Sequence, residues 1–276
     1  MTRLASGSAD APQLSPWFVA FGRAAFAGGL AALYLLVVRA PRPSAAQWRA
    51  LGFTAAGVVF GFPLFMGLAV VRVDAVHASV VTGILPLVTA AFGARLLKQP
   101  QRPLFWLFAW AGLLLVVAFA WWRGGAGLQV ADGLLALALL LGAMGYVWGA
   151  RLSATMRPEH VISWLLVLAL PITLPVAWWT LPSAPVALSS WLGFAYVSVF
   201  SMWLGFFAWY RALAIGGTVR ISQVQLLQPF LSILAAVPIL GESVDAATCL
   251  FLLAVMAVVF ASRRAASSTP IQGRYP

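Results

Sequence analysis

The stretch RISQVQLLQPFLSI, residues 220–233, sets three glutamines, two serines and a proline inside an apolar run. An amide moved into hydrocarbon without a partner costs roughly 4–8 kcal/mol, so a lipid-crossing helix with this load must turn it toward other helices or water. The surrounding chain leaves little doubt about lipid. Its 276 residues are 63% hydrophobic and 8% charged, with a mean hydropathy of +0.96. Six acids and 17 bases cannot clothe a soluble domain of this size. Apolar runs of about 20 residues recur, each able to cross a hydrocarbon core of roughly 30 Å. The pattern predicts an all-α, polytopic helical bundle of nine transmembrane helices. They fall at 17–38, 51–71, 75–97, 104–122, 133–151, 161–180, 190–211, 220–240 and 245–262.

A net charge of +11 raises the question of nucleic acid, but the bases lie in short connections and form no stripe on a soluble module. They read as topology determinants. Alternate loops on one side hold thirteen of them: Arg39, Arg42, Arg49, Arg95, Lys98, Arg102, Arg151, Arg157, Arg211, Arg220, Arg263, Arg264 and Arg274. The other side holds Arg72 and Arg123 beside Asp74, Asp132, Glu242 and Asp245. That bias places the C-terminus in the cytoplasm and, with nine spans, the N-terminus outside. Residues 1–16 are polar and lack the apolar core of a cleaved signal. Residues 263–276 form a cytoplasmic tail whose end, SSTPIQGRYP, reads as disordered. Tryptophans near span ends (Trp17, Trp48, Trp106, Trp121, Trp122, Trp178, Trp179 and Trp191) form an interfacial belt. The single cysteine, Cys249, lies in an apolar run and reads as a small core residue. No disulfide framework, metal-ligand cluster or cofactor is expected.

On a helical wheel with Ser222 at 0°, Pro229 falls near 340°, Gln225 near 300°, Ser232 near 280° and Gln228 near 240°, an arc of about 120°. Amide pairing between packed helices could explain such a face, but pairs of that kind average only about 0.6 kcal/mol. Pro229 also frees the carbonyl of Gln225. A polar cavity accounts for both features better. The same helix has a counterpart. SVVTGILPLVTAAFGARLLKQ (79–99) lies over SQVQLLQPFLSILAAVPILGE (222–242) without a gap, matching Ser79 to Ser222, Val81 to Val224, Pro86 to Pro229 and Leu97 to Leu240. Thr82 falls on Gln225. The two helices are five spans apart, so the copies they belong to would insert in opposite senses, a plan found in secondary transporters with a midplane site.

The segments SPWFVAFGRAAFAGGLAALYLL, PLFMGLAVVRVDAVHASVVTGILPLVTA and QLLQPFLSILAAVPILGESV resemble the drug/metabolite transporter superfamily, EamA type, over about residues 15–264. The resemblance implies two inverted copies, here 17–122 with four helices and 133–262 with five, and an inner-membrane metabolite carrier or exporter. The first span is similar to the family's second helix, so the family's first helix has no counterpart. The Gly-Glu that closes the family's equivalent helix occurs as Gly241-Glu242, whereas the first copy has Lys98-Gln99 there.

Candidate residues follow. Arg23 lies six residues inside the first span, where it either serves a site or gate or snorkels outward. The family's matching helix often carries an arginine there. His77, beside Asp74 and Arg72, is either a proton-sensitive gate or a histidine at a span end. Trp203, Phe206 and Tyr210 form a stripe that either packs or, at Trp203 and Tyr210, lines the cavity. Glu242 and Asp245 suit the start of the last helix. Pro171 and Pro175 should loosen the sixth span, while Pro86 and Pro229 break theirs. All six acids fall in loops or at span ends, which disfavours proton coupling.

The preferred reading is a carrier of small metabolites in a cell inner membrane, working by alternating access. Arg23 would attract an anionic group, Thr82, Ser222, Gln225, Gln228 and Ser232 would bind polar groups, and Trp203 and Tyr210 would pack on apolar parts. Its partners are a small-molecule substrate and the lipid bilayer, without nucleic acid, and a homodimer is compatible. The rivals are a non-transporting half-transporter that completes its bundle with another chain, and a membrane-embedded enzyme. The latter lacks convergent catalytic groups.

Overall fold

A computed structural model describes residues 1–7, 11–96, 101–123, 128–216, 221–241 and 243–265. Among them there is no strand, and a short helix α1 (Thr2–Ser6) precedes the long ones. Seven helical stretches are long and apolar enough to cross a membrane. They are α2 (Phe18–Val37), α3 (Ala45–Val70), α4 (Ala75–Leu96), α5 (Pro103–Arg123), α6 (Val130–Leu152), α7 (Pro158–Trp179) and α8 (Leu188–Ile215). Two shorter apolar helices follow, α9 (Leu227–Leu240, entered through a 3-10 turn over Gln223–Leu226) and α10 (Ala246–Ala265). The tail end, Lys98-Gln99 and Glu242 lie outside the described residues.

Local chemistry sets several helix starts. Ser44 Oγ accepts from the Gln47 amide at 3.3 Å while Gln47 Oε1 accepts from the Ser44 amide at 2.8 Å, a reciprocal cap on α3. Asp245 Oδ1 accepts from the Thr248 amide at 2.6 Å at the start of α10, the role its position suggested. That carboxylate is exposed, and the Thr248 backbone hydrogen bond, with a smaller effect of Arg123, holds it below the ordinary aspartate range.

Beside a smaller apolar cluster of Ala5, Leu14, Phe18, Val19 and Val197, two large ones fill the interior. One gathers Val80, Leu85, Phe105, Phe119, Leu135 and Val255 from α4, α5, α6 and α10. The other gathers Ala27, Leu51, Val58, Leu165, Tyr210 and Leu213 from α2, α3, α7 and α8. Helices α3 and α6 join them at very short range. A Cβ on Gly57 would collide with the Leu141 carbonyl, and one on Gly145 would stand 2.5 Å from Val58 Cγ2. Small residues let membrane helices approach backbone to backbone, where packing replaces the missing hydrophobic drive. Leu33, Leu36, Leu107, Trp110, Leu114, Trp178 and Trp179 are exposed and face outward, as lipid contact requires.

Helix α7 runs through Pro171 and Pro175 as one α-helix with both prolines exposed, so the loosening expected there is not where the helices break. Wide π turns occur instead in α2 (Phe18–Gly22), α3 (Ala56–Gly61) and α8 (Val197–Leu204). Helix α4 is interrupted at Gly83–Ile84, just ahead of buried Pro86, and α9 tightens to a 3-10 turn just ahead of buried Pro229. The two breaks meet. A Cβ on Gly83 would lie 3.4 Å from Pro229, and Ser222 Oγ stands 3.5 Å from the Pro86 carbonyl oxygen. The first half of α4 packs on α9 while its second half meets the 3-10 turn, so the two helices cross antiparallel.

Candidate functional site

Helices α2, α3, α4, α8 and α9 enclose a cavity of about 690 Å³, with α1 at its edge. Helix α4 contributes Ala75, Ala78, Ser79 and Thr82, the 3-10 turn contributes Gln225, and α9 contributes Gln228 and Ser232. Arg23 enters from α2 and Trp209 from α8. No carboxylate lines this space among the described residues. Its size suits a small organic molecule.

Arg23 is 7% exposed, and its Nε has no hydrogen-bond partner. None of the ion pairs among the described residues includes it. Gln225 Oε1 and Trp209 Nε1 are likewise buried without partners. Tyr146, on α6, lies within electrostatic reach of Arg23 and hydrogen-bonding reach of Gln225. Buried polar atoms are almost always satisfied in folded proteins. Arg23, Gln225 and Trp209 thus line one cavity, and the atom of each that lacks a partner is buried in its wall.

The structure brings Arg23, Thr82, Gln225, Gln228 and Ser232 to one cavity and leaves three other candidates elsewhere. Ser222 is fully buried at the crossing with Pro86. A 3-10 turn advances about 120° per residue against 100° in an α-helix, so four such residues swing Ser222 by roughly 80° off the face. Trp203 Nε1 donates to Ser163 Oγ at 3.0 Å and its ring packs on Tyr34 and Phe207. Tyr210 is fully buried in the α6–α8 contact with its ring against Phe206. The stripe thus packs, and Trp209 and Ser201 face the cavity in its place. The π turn in α8 rotates the following residues away from α-helical phase, and nothing in the local composition announces it.

One acid at a span end has a buried side chain. Asp132, read as a loop residue, is 8% exposed in the first turn of α6 and lies 2.7 Å from His77 Nε2. His77, 5% exposed, is inside the bundle and does not line the cavity. Asp132 thus stands at a span end, as expected, but with its side chain turned inward between α4 and α6. Nearby, Arg123 Nη1 donates to Asp245 Oδ2 at 3.1 Å and approaches Asp74 at 3.8 Å, tying three connections at one end of the bundle.

A multi-pass helical membrane protein with a polar cavity of small-molecule size is the class this architecture defines. The family model described as the EamA-like transporter family matches residues 5–121 and again residues 129–263. The protein named uncharacterized transporter YdeK, from Bacillus subtilis (strain 168), is 42% identical over 266 residues, covering 94% of this chain and 93% of its own length. A crystal structure of a protein 20% identical in sequence superimposes with a TM-score of 0.64, covering 97% of this chain and 93% of that one, and shows the same fold. The chain belongs to the EamA-like transporter family, within the drug/metabolite transporter superfamily. Family and relative indicate a membrane transporter of small molecules, which is not an enzyme.

Proposed function

We propose that this protein is an inner-membrane carrier of small metabolites that bear an anionic group beside hydrogen-bonding groups, and that it works by alternating access. One observation carries the substrate class: a buried arginine that, among the described residues, has no counter-ion and shares its cavity with no carboxylate. A charge so placed is stable only when something supplies the opposite sign. Gln225, Gln228, Thr82, Ser79 and Ser232 then bind the polar groups, and Trp209 offers an N–H and an aromatic face.

Alternating access rests on two copies of nine spans in all, 17–122 and 133–262, inserted in opposite senses. Two consecutive matches to one family model support it, as does the antiparallel crossing of α4 and α9 at their aligned prolines. The copies rock about that crossing, where neither helix is held by unbroken hydrogen bonds.

The test is flux into proteoliposomes of radiolabelled organic acids, amino acids and nucleosides, with the best substrate carried into variants. Gln225→Ala with Gln228→Ala is expected to lower flux at least about tenfold, as loss of paired polar contacts does. Arg23→Gln should abolish the preference for anionic over neutral analogues. Undiminished flux in the double variant would take α9 out of the site.

A further inference from the structure

The cavity does not use the buried pair His77–Asp132, which fastens α4 to α6. His77 Nε2 donates to Asp132 Oδ1 at 2.7 Å, and Oδ2 accepts the Gln129 amide at 2.9 Å. Phe119 covers the imidazole at 5.2 Å between ring centroids. A proton added to the imidazole makes an imidazolium–carboxylate pair with no net charge. Its loss leaves a carboxylate charge beside a neutral ring, in a site nearly shut off from water, where unbalanced charge is costly.

The helix so held is also the one that lines the cavity. His77 lies in the first half of α4, whose other face presents Ala75, Ala78, Ser79 and Thr82 to the cavity. That half ends at the Gly83–Ile84 interruption ahead of Pro86, so it can move as a unit. Arg23 and the N-terminal residue Met1 line the same cavity as this half of α4, and the charged groups nearer His77 are otherwise engaged. Arg123 from α5 holds Asp74 and Asp245. Arg72, after α3, donates to the Leu68 carbonyl, and Arg3 donates to the carbonyls of Val70 and Val73. Tyr146 lies further along α6, the described part of α9 has no charged residue, and α10 adds exposed Cys249 and, at its far end, Arg264.

We propose that His77–Asp132 is a proton-binding site that couples protonation to the position of the first half of α4, and hence to access to the cavity. Protonation locks α4 onto α6. Deprotonation weakens the link and frees the helix to swing about its break. This deepens the carrier reading by giving it a proton as coupling ion, but its test needs no substrate.

Ser79→Cys in a Cys249→Ala background reports access to the cavity through its rate of reaction with a membrane-impermeant maleimide. The rate is followed from about pH 5.5 to about pH 8.5 and divided, at each pH, by that of the same probe carrying His77→Gln, which cancels the intrinsic chemistry of the thiol. The ratio is expected to change at least threefold across this range. Asp132→Asn should flatten the response as His77→Gln does, and His160→Gln, at the other histidine, should leave it in place. Parallel pH profiles for the parent and both pair variants would overturn the proposal. Should either variant fail to fold, the unsubstituted protein still decides. With two histidines in the chain, a 15N-histidine spectrum isolates His77, and a signal unchanged over the pH range where labelling changes sinks the idea. Flux can fail while the labelling response survives, and the reverse, so the two readings are judged separately.

Discussion

Tyr210 shows how a single residue can carry the right chemistry in the wrong place. Spacing put it on an aromatic stripe, where packing and ligand contact read alike, and only the neighbouring helix separates the two. Gly149 on α6 faces its ring so closely that a Cβ there would collide with it. The ring is stiff and fully enclosed and cannot yield cheaply. Gly149→Ala is therefore expected to cost about 1–3 kcal/mol through overpacking, read as a lowered melting temperature of the purified protein in detergent. Arg23 is the opposite case. A guanidinium six residues into an apolar run is legible without coordinates, because the membrane tolerates it only with a reason. The same logic missed Asp132. Its position beside a loop disguised a side chain that turns inward, and the partner that draws it there is 55 residues away.

At the scale of elements, the helices themselves were legible and their phase was not. Apolar periodicity located each long stretch to within a few residues, except that α3 begins at Ala45, earlier than its apolar core, because Ser44 and Gln47 cap it there. The 3-10 turn before α9 and the π turn in α8 then rotated Ser222 and Trp203 away from the faces that uniform 100° steps assign them. Helix α10 offers a measurement on one start signal. The Asp245 carboxylate is held below its ordinary range, so its capping contribution is complete above the unfolded carboxylate pKa and disappears as pH falls through the lower folded value. Asp245→Asn should lower the melting temperature slightly near pH 7, and the gap between variant and parent should close as the carboxylate protonates in acid. A gap that widens in acid would show that the cap is not the source.

For the whole molecule, orientation is the property most directly read from charge. Thirteen bases on one set of connections against two on the other predict a cytoplasmic C-terminus. A C-terminal green fluorescent protein fusion should fluoresce, and alkaline phosphatase joined within residues 181–187 should be active. The reverse result would invert the bundle, and with it the face toward which the N-terminal segment lies. That segment, polar in sequence, folds back on α8: Ser190 Oγ donates to the Leu4 carbonyl and the Ala187 amide to Gln13 Oε1, each at 2.9 Å. Polarity alone could not tell a solvated leader from a strap across the end of the bundle.

Composition and periodicity by themselves determined that this chain lives in lipid, where its helices run, and that α9 carries a polar face with a counterpart on α4. These are short-range or averaged properties, and water-to-lipid transfer energies decide them. Which polar residues share the cavity, which aromatic rings merely pack, and that His77 meets Asp132 were decided only by tertiary structure. Each depends on helix rotation and on contacts between residues far apart in the chain, and a one-dimensional pattern holds neither.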